Sequence, residues 1–468
     1  FTNIMEDVMH NKNKSHGLNI IIVGCGKVGA NLVEQLSKEG HDITVIDKKP
    51  SVIQNITNLY DVMGLVGNGA SYSIQKDAGI NSADLIIAVT NSDELNLLCC
   101  TVARRVGNCA AIARVRTPDY SDEVNYLKEE LGLAMIINPE LEAAREAARI
   151  LYLPTALEVN PFAHGQAELV KFKIPPENVI DGITIAKLGS TITNDILICA
   201  VERDSQVYIP NGDFTLQAGD VISFVSDRIT ARKFLKQIGF NTKQVKDTMI
   251  IGGSIFAYYL AKELISMGIT VKIIEQNEKN CQFLSSLLPK AIIINGDGTD
   301  PDILKEAGIE YAQSFVPLTG IDEENILLTL HAKQVSDAKV ITKINKIGFK
   351  DVVNKLDLGS LIYPKNIASE AIIAYVRAKN NSKDSNIETL YHMFDYRVEA
   401  IEFLVDETSG FTDIPLKDLR LKKDVLISFI NRNGKIIIPT GNDCIMAGDT
   451  VMIVTKHSGF TQITDIAQ

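Results

Sequence analysis

The chain has no tryptophan, and its seven cysteines, among 468 residues, form no Cys-x-x-Cys pair. Odd in number and scattered, they read as buried thiols of a reducing compartment and exclude a disulfide framework. No apolar run reaches the roughly 18–20 residues that a membrane helix needs. No signal peptide is expected either. Basic side chains are outnumbered, 47 to 58, and form no stripe. That excludes a nucleic-acid footprint, and the formal charge of −11 serves solubility. Also missing are the GxxxxGK[ST] phosphate loop, HExxH and GxSxG. None of the seven histidines pairs with a nearby Asp or Glu at a spacing that suggests a general base, and no metal cluster is visible. His41 is expected to open a strand on its solvent side, and His331 to sit in mid-helix as a surface or packing residue.

What the chain does have is a glycine loop written twice. Ile20, Ile21, Ile22 and Val23 run into Gly24-Cys25-Gly26-Lys27-Val28-Gly29, a helix follows, and a second strand ends in Asp47. The second copy runs from Ile250 and Ile251 into Gly252-Gly253-Ser254-Ile255-Phe256-Ala257, and its second strand ends in Glu275. Both the loops and the acids are 228 apart (252 − 24 and 275 − 47). Further on, Lys76 to Ile80 match Lys305 to Ile309, and Thr90, Asp93, Glu94 and Asn96 match Thr319, Asp322, Glu323 and Asn325. These pairs are 229 apart (319 − 90), so one residue is inserted between the copies.

Continuous apolar strands alternating with amphipathic helices predict a parallel sheet covered on both faces. The first unit reads as four strand–helix repeats from Leu18 to about Asn138, with a fifth strand at 110–115. Between and after the two units lie short β-like runs at 167–172, 196–201, 206–209 and 220–225, and again at 400–404, 425–430, 435–438 and 449–454. Their turns agree: Ile209-Pro210-Asn211-Gly212 matches Ile438-Pro439-Thr440-Gly441, and Ala218-Gly219-Asp220 matches Ala447-Gly448-Asp449. The expected fold class is α/β, with two Rossmann-like doubly wound parallel-sheet domains, each followed by a small α+β module. The expected boundaries are 1–17 for an extension that is tag or linker, 18–138 for the first nucleotide-binding domain and 139–154 for a crossover helix. They continue with 155–241 for the first small module, 246–363 for the second nucleotide-binding domain, 364–382 for its crossover helix and 387–468 for the second module.

A phosphate cannot approach a backbone that carries Cβ atoms on its near side. Gly24 permits the strand-to-helix turn, Gly26 lets a pyrophosphate come close, and Gly29 lets the helix pack on the strand. The helix start at Lys27 and Val28 offers unpaired N–H groups to the phosphates. Asp47 is placed for the ribose hydroxyls and repels a 2′-phosphate, which favours NAD(H) over NADP(H), although Lys48 and Lys49 weaken that exclusion. Asn68 reads either as an adenine or ribose contact or as a plain turn residue. Thr90, with Asn91 and Ser92, should line the same crevice and also cap the following helix. Arg114 could reach a phosphate or form a surface ion pair. Cys25 is either a redox sensor or a small residue tolerated beside a ligand. In the second loop Ser254 replaces the second glycine and Ala257 the third. Its candidate residues are Gly252, Gly253, Ser254, Ile255, Glu275, Asp297 and Thr319. Two readings stay open there: a nucleotide site for a ligand different from the first, such as ATP or ADP, or a copy retained for its fold.

Residues 21–29, 42–47, 88–94 and 112–120, together with the duplicated small module, resemble the cytosolic regulatory subunits of Trk-type potassium uptake systems. That family is built from tandem regulator-of-potassium-conductance units, and the likeness runs from about Leu18 to the C-terminus. The resemblance implies a gating ring on the cytoplasmic face of a membrane-embedded potassium transporter, with NAD(H) and ATP/ADP held in the nucleotide-binding domains. It implies a homotetramer, peripheral to the membrane through its partner. The two nucleotide-binding units are expected to pair through helices near their fifth strands and the crossover helices from Glu140 and Ile367. A soluble NAD-dependent oxidoreductase is the alternative. Against it, the second copy fills the place of a substrate domain and no base is available. A redox-sensing transcriptional partner lacks a helix-turn-helix.

Overall fold

The computed structural model describes residues 17–467, apart from 122, 193–194, 346–352, 354, 381–386 and 408–409. The expected extension therefore lies, but for Gly17, outside the described residues. Two compact units are present. One comprises residues up to Asn138 with 375–385, the other 139–374 with 386–468.

The first unit holds a six-stranded parallel sheet: β1 Asn19–Val23, β2 Asp42–Asp47, β3 Met63–Val66, β4 Leu85–Ala88, β5 Ala110–Arg114 and β6 Met135–Ile137, in the order β3-β2-β1-β4-β5-β6. Ile20 to Val23 and Leu85 to Ala88 are at most 2% exposed, as expected for central strands with helices on both faces. The chain lays down β1, β2 and β3 towards one edge, then returns to place β4 on the other side of β1. That reversal opens a crevice at the carboxyl ends of β1 and β4. The strand β6 was not expected from sequence, nor were the short helices Pro118–Ser121 and Val124–Glu130 before it. A three-residue strand is too short to show a period, and it forms only because β5 leaves an edge to pair with.

His41 corrects another expectation. It is 7% exposed, not on the solvent side, and its Nδ1 accepts from the Leu18 N–H at 3.1 Å. Desolvation, the largest influence, lowers its pKa.

The second unit repeats this sheet with β12 Asp247–Ile251, β13 Thr270–Glu275, β14 Ile292–Asn295, β15 Ser314–Pro317, β16 Lys339–Lys343 and β17 Ser360–Ile362, in the order β14-β13-β12-β15-β16-β17. The crossover helix Pro139–Tyr152 packs on the helix Ile255–Ser266. Ala143, Ala144, Ala147 and Ala148 are buried in that seam with Ala257, Tyr258 and Ala261. A packing role for the crossover helix from Glu140 was expected; its partner here, the helix that follows the second glycine loop, was not, and small alanines on one face let the two backbones approach closely.

The same unit contains both small modules as antiparallel sheets. The first has β7 Glu158–Phe162, β8 Ala167–Lys173, β9 Leu197–Arg203, β10 Gln206–Tyr208 and β11 Val221–Ser226, in the order β10-β9-β11-β8-β7. The second has β18 Ile387–Met393, β19 Val398–Leu404, β20 Val425–Arg432, β21 Lys435–Ile437 and β22 Thr450–Thr455, in the order β18-β19-β22-β20-β21. The edge strands β7 and β18 escaped sequence reading. Pro161 inside β7 argues against a strand, and is tolerated only because β7 is an edge. The duplication extends to single bonds. Arg203 pairs bidentately with Asp220 at 2.7 Å and donates to the Thr215 carbonyl; Arg432 does the same with Asp449, at 2.9 and 2.7 Å, and with the Cys444 carbonyl. Each sheet turns one face to the other module: Phe162, Leu169, Ala200 and Val225 share a core with Val398, Ala400, Phe429 and Met452.

Candidate functional site

Gly24, at the end of β1, has φ +93°, a conformation that costs most side chains energy. A Cβ there would lie 2.9 Å from the Thr90 backbone, so the loop and the end of β4 touch across the crevice. The Gly24 N–H donates to the Ile46 carbonyl at 2.8 Å, which ties the loop to β2. The two other glycines differ in kind. A Cβ on Gly29 would sit 2.0 Å from the Gly24 carbonyl oxygen, so packing alone requires glycine. A Cβ on Gly26 would meet nothing within 4 Å. Gly26 also has the extended backbone (φ −70°, ψ −160°) of an N-cap, which any residue adopts. No contact inside the protein accounts for glycine at this position. The space in front of it is where an approaching phosphate would lie. Lys27 is exposed and Val28 buried at the start of the helix Lys27–Lys38.

Asp47 turns one carboxylate oxygen to the loop, where Oδ2 accepts from the Cys25 N–H at 2.9 Å. Its Oδ1 accepts from the Lys49 N–H at 2.9 Å. The acid therefore orders the loop, and each carboxylate oxygen keeps capacity to accept a further bond. Lys48 is exposed beside it. Cys25 is 6% exposed, and burial, with the Asp47 charge adding, pushes its thiol up to about 12. A thiol so protonated is a poor nucleophile at neutral pH. This sets aside the redox-sensor reading and leaves the small tolerated residue.

Thr90 is held by a residue whose role was not foreseen. Asn96 Oδ1 accepts from the Thr90 N–H at 2.8 Å and its hydroxyl at 2.7 Å, while Nδ2 donates to the Arg114 carbonyl at 2.9 Å. Asn96 is fully buried, so this clamp joins the ends of β4 and β5 where water cannot compete. Asp93 closes the neighbouring turn by accepting from the Arg116 and Thr117 N–H groups at 2.8 and 2.7 Å. Burial alone would raise its pKa, but the Thr117 and Arg116 bonds outweigh that and hold it below the usual carboxylate range. The signal was present in sequence: Asp93 and Asn96 recur at one offset as Asp322 and Asn325. Ser92 caps the next helix by accepting from the Leu95 N–H at 3.1 Å, as expected. Asn68 is exposed, and its Oδ1 accepts from the Ala70 N–H at 3.2 Å in a turn. Arg114 is half-buried at the end of β5.

The second loop follows the same plan with different walls. Gly252 has φ +94°. Glu275 Oε2 accepts from the Gly253 N–H at 2.6 Å and Oε1 from the Asn277 N–H at 2.7 Å, repeating the Asp47 arrangement. Asn325 clamps Thr319 as Asn96 clamps Thr90, with N–H and hydroxyl both at 2.9 Å. Two things change. Asn280, from the helix Glu278–Leu287, donates to the Gly253 carbonyl at 2.7 Å, and a Cβ on Gly253 would strike Leu284 at 2.6 Å. Ser254 caps its own helix, accepting from the Ala257 N–H at 3.3 Å. In front of this loop lies a cavity of about 460 Å³. Gly252, Gly253, Ser254, Glu275, Asp297 and Thr319 all border it, while Ile255 does not. Thr299 and Glu324, not foreseen, complete its polar rim. Asp297 is exposed, and bonds from the Thr299 N–H and hydroxyl lower its pKa.

The fold and loops together define a class: tandem pairs of a Rossmann-like domain and an antiparallel module. The sequence pattern of the TrkA-N domain matches residues 20–139 and 248–364, and that of the TrkA-C domain residues 169–239 and 400–468. The chain belongs to the family of the Trk system potassium uptake proteins TrkA. It is 31% identical over 449 residues to a Trk system potassium uptake protein TrkA homolog of Archaeoglobus fulgidus, covering 96% of this chain and all of that one. It is 30% identical to the Trk system potassium uptake protein TrkA of Haemophilus influenzae over 440 residues, 93% of this chain and 95% of that one. The solved GsuK channel bound to NAD shares the fold with a TM-score of 0.61 at 15% identity, over 97% of this chain and 80% of that one. The GsuK RCK domain also scores 0.61, over 94% and 93%. Among the described residues no helix is long and apolar enough to cross a membrane, and no group of acids, histidines and cysteines is arranged to hold a metal.

Proposed function

We propose that the chain is a nucleotide-sensing, gating-ring subunit of a Trk-type potassium uptake system, acting at the cytoplasmic face of a membrane-embedded partner. The first loop, Gly24 to Gly29 with Asp47, Lys48, Asn68, Thr90 and Arg114, binds NAD(H). The second, Gly252 to Ile255 with Glu275, Asp297 and Thr319, binds ATP or ADP. The observation that carries this is Gly26. Its missing Cβ serves no packing need, and the space it leaves lies at a helix N-terminus, where an anionic phosphate is favoured. Asp47 supplies acceptors for ribose hydroxyls and disfavours a 2′-phosphate.

The proposed subunit works by population shift. Each nucleotide binds two ring shapes with different affinities, and the ring biases the pore. A ligand that bound both shapes equally would shift nothing. The proposed assembly is a homotetramer.

Calorimetric titration of NADH, NAD⁺, ATP and ADP into the wild-type protein and into Asp47→Ala and Glu275→Ala variants tests the reading. Two classes of site, each removed by one substitution, support it. Absence of nucleotide binding, or transport indifferent to every nucleotide when the partner is present, would sink it.

A further inference from the structure

The larger cavity of the second unit is not a glycine-loop crevice. It measures about 740 Å³, in the range of small-molecule sites, and lies among the two small modules, the middle of the first crossover helix and the start of the second. Six carboxylates border it: Glu146, Glu158, Glu202, Asp204, Glu370 and Asp395. Its cations, Lys171, Arg397 and a His392 whose pKa burial lowers but Glu370 and Glu399 raise to about 9, are already engaged. Lys171 Nζ is 2.7 Å from Glu158 Oε1, and Arg397 pairs with Glu202. Glu158 Oε2 further accepts from the Tyr391 hydroxyl at 2.7 Å. Glu370 faces His392, whose Nδ1 is 3.8 Å away.

Glu146 is the exception. It projects from the helix Pro139–Tyr152, is 7% exposed, and borders the cavity, yet no hydrogen bond or ion pair from the described residues reaches its carboxyl. A carboxylate withdrawn from water without a partner is costly, so an unpaired one facing a roomy space marks a place for a counter-charge. The cavity already holds a pattern for one. The Lys171 ammonium is seated on the Glu158 carboxylate and lies 4.5 Å over the Phe394 ring. Tyr363, Tyr391 and Tyr396 line the same cavity.

We propose that this cavity binds a small organic cation, a di- or polyamine, with one ammonium group on Glu146 and Glu370 against the tyrosine wall. The volume is far larger than a bare ion needs, and no grouping of metal-ligating side chains is present among the described residues. Bound there, the amine touches both crossover helices and both small modules, so it would alter how these elements hold together. Without it, burial and the charges of Glu158 and Glu370, set against Arg149 and Lys171, push the Glu146 carboxyl up to about 8. Amine binding at neutral pH therefore releases a proton.

The test is titration of spermidine into the full chain at constant ionic strength and pH 7, in buffers of different ionisation enthalpy. Wild type should bind with proton release. Glu146→Gln should lose the proton and at least about tenfold in affinity, and Glu370→Gln a comparable factor. Glu142→Gln, on the exposed side of the same helix, should change neither. Folding is checked by melting. The Glu146 carboxyl titrates near 4.5 when exposed and near 8 when folded, so the folded state holds a proton that the unfolded chain has released. Stability therefore falls as pH rises through that window, and Glu146→Gln should melt at the same temperature or higher, most clearly above pH 8. No binding, heat that Glu146→Gln leaves unchanged, tighter binding by that variant, or the same site-dependent heat from magnesium chloride would each overturn the proposal.

Discussion

The two glycine loops share a strand order, an acid that clasps the loop backbone and an asparagine that clamps the opposite strand, yet they leave different space before the helix. At the first, Gly26 stands open with nothing within 4 Å. At the second, Ser254 fills that position and turns its hydroxyl back to cap the helix, while Asn280 and Leu284 crowd Gly253. The common parts are what a strand-to-helix turn needs to hold its shape. The differing parts border the open space in front of each helix. Duplication has kept the scaffold and released the surface.

The largest expected effect comes from removing the acids. Asp47→Ala should weaken NADH binding by about 30- to 100-fold, the worth of charge-assisted bonds to ribose, and leave adenine nucleotide binding at the second loop intact. Glu275→Ala should do the reverse, as separate titrations will show. If either substitution abolishes both, the loops are one coupled site and the comparison fails.

Glycine replacement separates scaffold from ligand within one loop. Gly29→Ala forces a Cβ to 2.0 Å from the Gly24 carbonyl oxygen and should cost about 1–3 kcal/mol, visible in thermal melting. Gly26→Ala should leave the melting temperature alone and lower NADH affinity by about tenfold, through lost approach of the phosphates. Melting lowered equally by both would mean that Gly26 serves the fold after all.

Ser254→Gly makes the second loop more like the first. The lost cap should cost only a few tenths of a kcal/mol, because glycine is itself a tolerated N-cap. NADH affinity at the second loop should rise several-fold by titration in an Asp47→Ala background. If it does not, the walls made by Asn280 and Leu284 decide selectivity. The smallest effect concerns Cys25. With its thiol pushed up to about 12, alkylation by iodoacetamide at pH 7.5 should be much slower than for a free thiol, and Cys25→Ser should retain NADH binding.

Most of the fold was legible because repetition checks itself. Strands of Ile, Val and Ala at matching offsets, and loops 228 apart, mark two α/β units and two small modules in the sequence alone. What escaped was short or atypical: β6 with three residues, β7 with its internal proline, and β18, whose Thr389, Tyr391 and His392 break the apolar pattern. Edge strands of this kind are made by the neighbour they pair with, and sequence carries little trace of that. His41 was misplaced for the same reason. Its position beside a strand was clear, but not the covering that buries it.

The sequence by itself determined the duplication, the two strand-to-helix loops, the acids Asp47 and Glu275, and the family. The repeat, the loops and the acids are set by residue type at fixed local spacing, since a tight turn needs glycine and the loop N–H groups need an acceptor. Only the tertiary structure decided that Gly26 stands open while Gly29 is required by packing, that Asn96 and Asn325 clamp the strand ends, and that Glu146 borders a cavity with no hydrogen-bond or ion-pair partner among the described residues. Those are statements about distance between segments far apart in the chain. Packing sets such distances, and no spacing along the sequence encodes them.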